Sequence, residues 1–103
     1  MKRKATRLSP IHPGEVLREE FLAPLGISPY AVAKAAGVPR TRIERIAREE
    51  TSVTADTALR LGKVFDTSPE FWMNLQARYD LETAADRLGK KANRIEPIRP
   101  EAA

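Results

Sequence analysis

Pro29-Tyr-Ala-Val-Ala-Lys-Ala-Ala-Gly-Val-Pro-Arg-Thr-Arg-Ile-Glu-Arg-Ile-Ala-Arg48 is the stretch on which the fold turns. Ser28-Pro29 places a capping hydroxyl before a proline at the first helical position, where the missing N–H costs nothing, so a helix starts there and runs to about Ala36. Gly37 supplies the positive φ of a tight turn. A second helix begins near Pro39 and runs to about Glu49, with Ile43, Ile46 and Ala47 at i, i+3 and i+4 on its inner side. The turn is too short for anything but a sharp crossing. Ala33 sits where the second helix must approach closely, and Val32, Val38, Ile43 and Ile46 fill the wedge between the two. The outer face carries Arg40, Arg42, Arg45 and Arg48.

Outward from this pair the same helical spacing continues, and no period-2 run of β-branched and aromatic residues interrupts it. His12-Pro13 opens an earlier helix to about Leu22, ended by Pro24, with Val16, Leu17 and Phe21 inward. Thr54 or Ser52 caps a fourth helix whose stripe is Ala58, Leu61, Gly62 and Phe65. Ser68-Pro69-Glu70 repeats the cap-and-proline start and puts a carboxylate at the positive helix end. The fifth helix is long, carrying Phe71, Trp72, Leu75 and Tyr79 and then Leu81, Ala84, Ala85 and Leu88 before Gly89. The expectation is an all-α domain of five helices over residues 12–89. A basic, poorly ordered arm over residues 1–11 and a flexible tail over residues 90–103 complete it.

Composition bounds the function. A chain of 103 residues has room for one domain with a modest core. The absence of cysteine removes disulfides, thiolate ligands and thiol nucleophiles, and it fits a reducing cytosol. Apolar runs fall short of the roughly 18 residues of a membrane span, so the expectation is a cytoplasmic protein. Eighteen Lys and Arg against fourteen Asp and Glu leave a net charge of +4. The pI of about 9.8 lies in the range of nucleic-acid binders. Placement says more: cations cluster at Lys2, Arg3, Lys4 and Arg7, at Arg40 to Arg48, and at Lys90, Lys91 and Arg94.

The segment 29–48 resembles the helix-turn-helix of phage-repressor-like (lambda-repressor-like) regulators, since Ala33, Gly37, Val38, Ile43 and Ile46 match its constrained positions together. An ordinary helical hairpin with a solvated charged face is the alternative. In a helix-turn-helix the N-terminal part of the second helix enters the major groove of duplex DNA. Arg40, Thr41 and Arg45 then fall at reading positions. An arginine fork matches guanine O6 and N7, and a threonine offers a hydroxyl and a methyl. Arg42 and Arg48 lie toward the flanks and suit phosphates, as do Tyr30, Lys34 and the backbone N–H groups at the capped start near Ser28. Glu44 either accepts from a cytosine amino group or orients a neighbouring arginine, the commoner role.

A wider resemblance covers about two-thirds of the chain. His12-Pro-Gly-Glu-Val-Leu17, Thr54-Ala-Asp-Thr-Ala-Leu-Arg-Leu61 and Thr67-Ser-Pro-Glu-Phe-Trp-Met-Asn-Leu-Gln-Ala-Arg-Tyr-Asp-Leu81 are similar to the HigA-type antitoxins, also labelled virulence-associated protein I. That resemblance implies a homodimeric repressor that binds its own operator and neutralises a RelE-like (HigB-like) ribonuclease toxin. After the second helix the family often has a glycine and a basic pair, whereas this chain has Glu49-Glu50-Thr51-Ser52, and two carboxylates there would repel phosphate.

Other reactive-looking residues read as structural. His12, the only histidine, has no second ligand for a metal and is expected to pack or cap a helix start. Phe71 and Trp72 share helical spacing with Leu75 and Tyr79, which favours core or dimer contact over base stacking. No phosphate loop, metal set or paired acid and base is visible, so no enzyme and no cofactor is expected. Two other functions stay open beside the antitoxin: a solitary regulator, and a helical module that mainly binds a protein partner. Leu81, Ala84, Ala85 and Leu88 exceed what a small core needs and are the expected dimer contact.

Overall fold

The computed structural model describes residues 9–101, and the helices follow the caps written in the sequence. The basic cluster from Lys2 to Arg7, and with it most of the expected arm, lies outside the described residues.

The first helix, α1, spans residues 13–25 as three consecutive pieces: Pro13–Val16, a π-helical turn Leu17–Leu22, and Ala23–Leu25. His12 caps it, its Nδ1 accepting from the Gly14 N–H at 2.8 Å. The sequence predicts an end to this helix at Pro24. Instead the chain continues to Leu25 and stops at Gly26, which has φ 64°. A proline normally clashes with the carbonyl four residues back. The Ala23 N–H already bonds to the Arg18 carbonyl, five residues back. That wider register moves the preceding carbonyls out of the usual position and admits the ring.

Helix α2 is Pro29–Ala36, its Ser28 hydroxyl accepting from the Ala31 N–H at 3.1 Å. Gly37, at φ 73°, turns the chain into α3, Arg40–Ala47. Helix α4 is Ala55–Phe65 and starts at Thr54, whose side chain accepts from the Thr57 N–H at 3.3 Å. Helix α5, Pro69–Leu88, is 20 residues long and starts at Ser68, so it extends about 30 Å. Residues expected in a structureless tail form a further 3-10 helix, Gly89–Arg94, with every residue exposed.

Leu17 and Leu22 from α1, Val32 and Ala33 from α2, Ile43, Ile46 and Ala47 from α3, Ala58 and Leu61 from α4, and Trp72 from α5 close around one core, joined by Val53 from the loop before α4. Phe21 lies against both Phe65 and Trp72, with ring centroids 4.7 and 5.1 Å away. The Trp72 Nε1–H donates to the Thr67 hydroxyl at 2.8 Å, so the largest buried side chain leaves no polar atom unpaired. Gln76, buried on α5, accepts from the Val53 N–H at 2.7 Å and donates to Asp80 at 3.0 Å. It ties the loop after α3 to α5. Beyond Tyr79 the helix leaves the body: Leu81 is 72% exposed, and the described chain is 60 Å along its longest axis.

Candidate nucleic-acid interface

Helix α3 is fixed from behind and open in front. Ile43, Ile46 and Ala47 are buried, whereas Arg40, Thr41, Arg42, Arg45 and Arg48 are exposed and Glu44 is half-buried. At 100° per residue the outward stripe opposite the core runs through Thr41, Arg45 and Arg48, at i, i+4 and i+7. Arg40 and Glu44 flank it on one side, and Arg42 flanks it on the α4 side.

Three contacts hold this helix. Gly14 on α1 lies directly against the Ile46 carbonyl oxygen, and a Cβ there would collide with it, so only glycine allows α1 and α3 to approach this closely. Arg18, on the π-helical turn, donates from Nη1 to the Ala47 carbonyl oxygen at 2.5 Å and from Nη2 to Glu49 at 3.2 Å. Arg60, on α4, donates to the Ala36 carbonyl oxygen at 2.8 Å and to Asp56 at 2.9 Å, and Asp56 also accepts from Arg42 at 2.6 Å. The C-termini of α2 and α3 are thus each closed by an arginine from a neighbouring helix. Arg60 beside it, followed by Arg42, holds the Asp56 carboxyl below the ordinary carboxylate range.

The expected reading residues do come together on one surface. Glu44 Oε2 lies 3.2 Å from Arg40 Nε one turn away. Ser28 uses its hydroxyl as a cap, while Tyr30 and Lys34 lie exposed on α2. Arg42, expected at phosphate, is bonded to Asp56. Arg48 and Glu44 border a mostly apolar depression of about 450 Å³ with Leu22, Ile27 and Ala47. The expected dimer residues Leu81, Ala84, Ala85 and Leu88 share one exposed face of α5.

The carboxylates after α3 divide. Glu49 has φ 64°, the left-handed conformation that favours glycine. That backbone turns its side chain back to Arg18. Glu50 stays beside the outward face, with Oε1 3.9 Å from Arg45 Nε. Sequence reasoning missed Arg18, Asp56 and Arg60. The i, i+4 spacing of Asp56 and Arg60 was a visible signal, but nothing local announced that Arg18 would meet Ala47, 29 positions on.

His12 is almost fully buried and meets the Tyr79 ring edge-on at 4.7 Å. Burial lowers its pKa, against the opposing pull of Glu49 and a hydrogen bond to the Thr51 backbone. Among the described residues no group of three or more His, Cys, Asp and Glu is placed to hold a metal, and no helix is long and apolar enough to cross a membrane.

Comparison with known proteins agrees with this geometry. A family profile described as helix-turn-helix matches residues 17–72. Virulence-associated protein I of Dichelobacter nodosus is 47% identical over 92 residues, covering 89% of this chain and 84% of its own. Antitoxin HigA-1 of Vibrio cholerae is 34% identical over 95 residues, covering 92% of this chain and 90% of its own. Among solved structures, the Pseudomonas aeruginosa antitoxin HigA with the higBA promoter superposes with a TM-score of 0.83 at 50% identity, covering 87% of this chain and 99% of the other. With a helix-turn-helix profile over more than half of the chain and with identity and coverage this high, the chain belongs to the HigA-type (virulence-associated protein I) antitoxins of the helix-turn-helix family.

Proposed function

We propose that this protein is a sequence-specific DNA-binding repressor, the antitoxin of a toxin–antitoxin operon, which binds its own promoter and neutralises a RelE-like, HigB-like ribonuclease toxin in the cytoplasm. The observation that carries the DNA half is the outward stripe of Thr41, Arg45 and Arg48 on a helix whose opposite face is buried. Such a helix can enter a major groove because its outward side chains are exposed.

Residues 12–89 form the DNA-binding domain in this reading. Arg40, Thr41, Glu44 and Arg45 face base edges, while Tyr30, Lys34, Arg48 and the N-terminus of α2 after Ser28 meet phosphates, and Arg42 lies on the same flank bonded to Asp56. A homodimer reads two half-sites about 34 Å apart, and the ridge of Leu81, Ala84, Ala85 and Leu88 pairs the two copies. The solved relative bound to the higBA promoter supports a promoter as ligand for this chain too.

Titrating the protein into a labelled duplex of its own promoter and into a scrambled duplex tests the DNA half: equal affinity for both would refute sequence-specific repression. Co-expression tests the other half. A growth-arresting ribonuclease encoded beside the gene should be silenced by this protein, and a toxin that remains active would leave a solitary regulator.

A further inference from the structure

The cleft between α3 and α4, about 630 Å³, is lined by Arg42, Arg45 and Arg60 and by the hydroxyls of Thr51 and Thr54, and Asp56 is the one carboxylate in its wall. Cationic forks and hydroxyls converging on a space are the chemistry that holds a phosphate. Here the space already has an anion. A single oxygen of Asp56 accepts from Arg42 Nη1 at 2.6 Å and from Arg60 Nε at 2.9 Å, the arrangement one phosphate oxygen would adopt. Arg60 is anchored elsewhere by the Ala36 carbonyl, whereas the Arg42 guanidinium has Asp56 as its one hydrogen-bond and ion-pair partner among the described residues. Arg42 is therefore the partner that can leave.

The pattern extends along the helix. Arg40 lies 3.2 Å from Glu44 and Arg45 lies 3.9 Å from Glu50, so three of the four arginines at positions 40 to 48 face a carboxylate of their own chain. Arg42 and Asp56 make the shortest of these pairs. Both side chains are 40% or more exposed, which keeps exchange with an external anion accessible.

We propose that Asp56 is a built-in competitor of DNA phosphate for Arg42, a brake on the sequence-independent part of DNA affinity. The inference rests on the DNA-binding reading above and adds to it a residue that touches no base. Phosphate contacts supply affinity for DNA of any sequence, and each one adds about 0.9 to the dependence of log affinity on log salt. Holding Arg42 inside the protein removes one such contact from operator and random DNA alike. A repressor with a less adhesive surface spends less of its population on the rest of the chromosome.

The test compares wild type, Asp56→Asn, Asp56→Ala, Arg42→Ala and the Asp56→Asn/Arg42→Ala double variant on an own-promoter duplex and a scrambled duplex, from 0.05 to 0.4 M salt. Thermal melts verify the fold. Releasing Arg42 should raise affinity for both duplexes by roughly eightfold at 0.1 M salt and steepen the salt slope by about one, as one added phosphate contact requires. Asp56→Ala guards against an asparagine that still holds Arg42. In the Arg42→Ala background the gain should vanish, because no arginine is left to release. Unchanged affinity in both Asp56 variants would overturn the proposal, and so would a gain of the same size without Arg42, which would be a general charge effect. Wild type that binds neither duplex is a different failure, that of the DNA-binding reading itself, and the proposal falls with it.

Discussion

The Arg18 guanidinium closes the C-terminus of α3 by donating to the Ala47 carbonyl oxygen across 29 positions of sequence. That carbonyl belongs to the last turn of α3, whose acceptors have no partner within the helix. Arg18 reaches it from the π-helical turn of α1, and Glu49 steadies the same guanidinium at 3.2 Å. Arg18→Ala should therefore lower stability by about 1 kcal/mol, because the pair is part-exposed and a hydrogen bond to a charged group is worth little more there. For a domain of this size the melting temperature should drop by about 4–8 °C. Operator affinity should fall as the end of α3 frays, and Arg18→Lys should recover part of the loss. An unchanged melt would show that the end of α3 is held by packing alone.

Gly14 and Gly26 should respond in opposite ways to alanine. A Cβ on Gly14 drives into the Ile46 carbonyl oxygen, a backbone atom that cannot swing aside, so Gly14→Ala should cost more than about 2 kcal/mol. Gly26 has open space around it but φ 64°, and Gly26→Ala should cost only about 1 kcal/mol. Denaturant unfolding of the two variants ranks them directly, and the reverse order would contradict the close approach of α1 to α3.

Arg45 and Arg48 separate reading from grip. Arg45→Ala should cost roughly 1–3 kcal/mol on the operator and relax the preference at one base pair, with little effect on random DNA. Arg48→Ala should weaken both duplexes about equally and reduce the salt slope by about one. Both should fold, since neither side chain enters the core. Equal loss on the two duplexes for Arg45→Ala would move the reading role to Arg40 and Thr41.

Acid should act on this protein in part through His12. Its buried ring caps α1 with a neutral Nδ1, and burial lowers its pKa in the fold. A lowered folded-state pKa gives a stabilisation that is complete above the unfolded value of about 6.5 and is lost as pH falls below it. His12→Asn keeps a capping oxygen without a titrating ring. The stability gap between wild type and His12→Asn should narrow between about pH 7 and pH 5. A gap that stays constant over that range would remove His12 from the acid response.

Leu81→Glu combined with Leu88→Glu should yield a monomer of unchanged secondary structure, since both residues are exposed on α5 and support no described core contact. Light scattering reads the mass, and operator affinity should fall because two half-sites are then engaged independently. A dimer that survives both charges would place the pairing surface elsewhere.

The sequence by itself determined where the helices start, which faces they bury and which surface α3 presents. Ser28-Pro29, Thr54 and Ser68-Pro69 cap the N–H groups two or three positions on, and Ile43, Ile46 and Ala47 share a face by the 3.6-residue repeat, so both signals are complete within a few neighbouring residues. Tertiary structure decided what lies across the chain. Pro24 stays helical because the turn before it widens, Glu49 is turned from the outward face because Arg18 waits on another helix, and Gln76 is buried because Val53 needs an acceptor. It also decided which arginines reach solvent unpaired: Arg42 is bonded to Asp56, 14 positions away, a contact that exists only once α3 and α4 have packed. An exposed arginine looks the same in a sequence whether its partner is a phosphate or a carboxylate of its own chain, because the partner is chosen by distance in space.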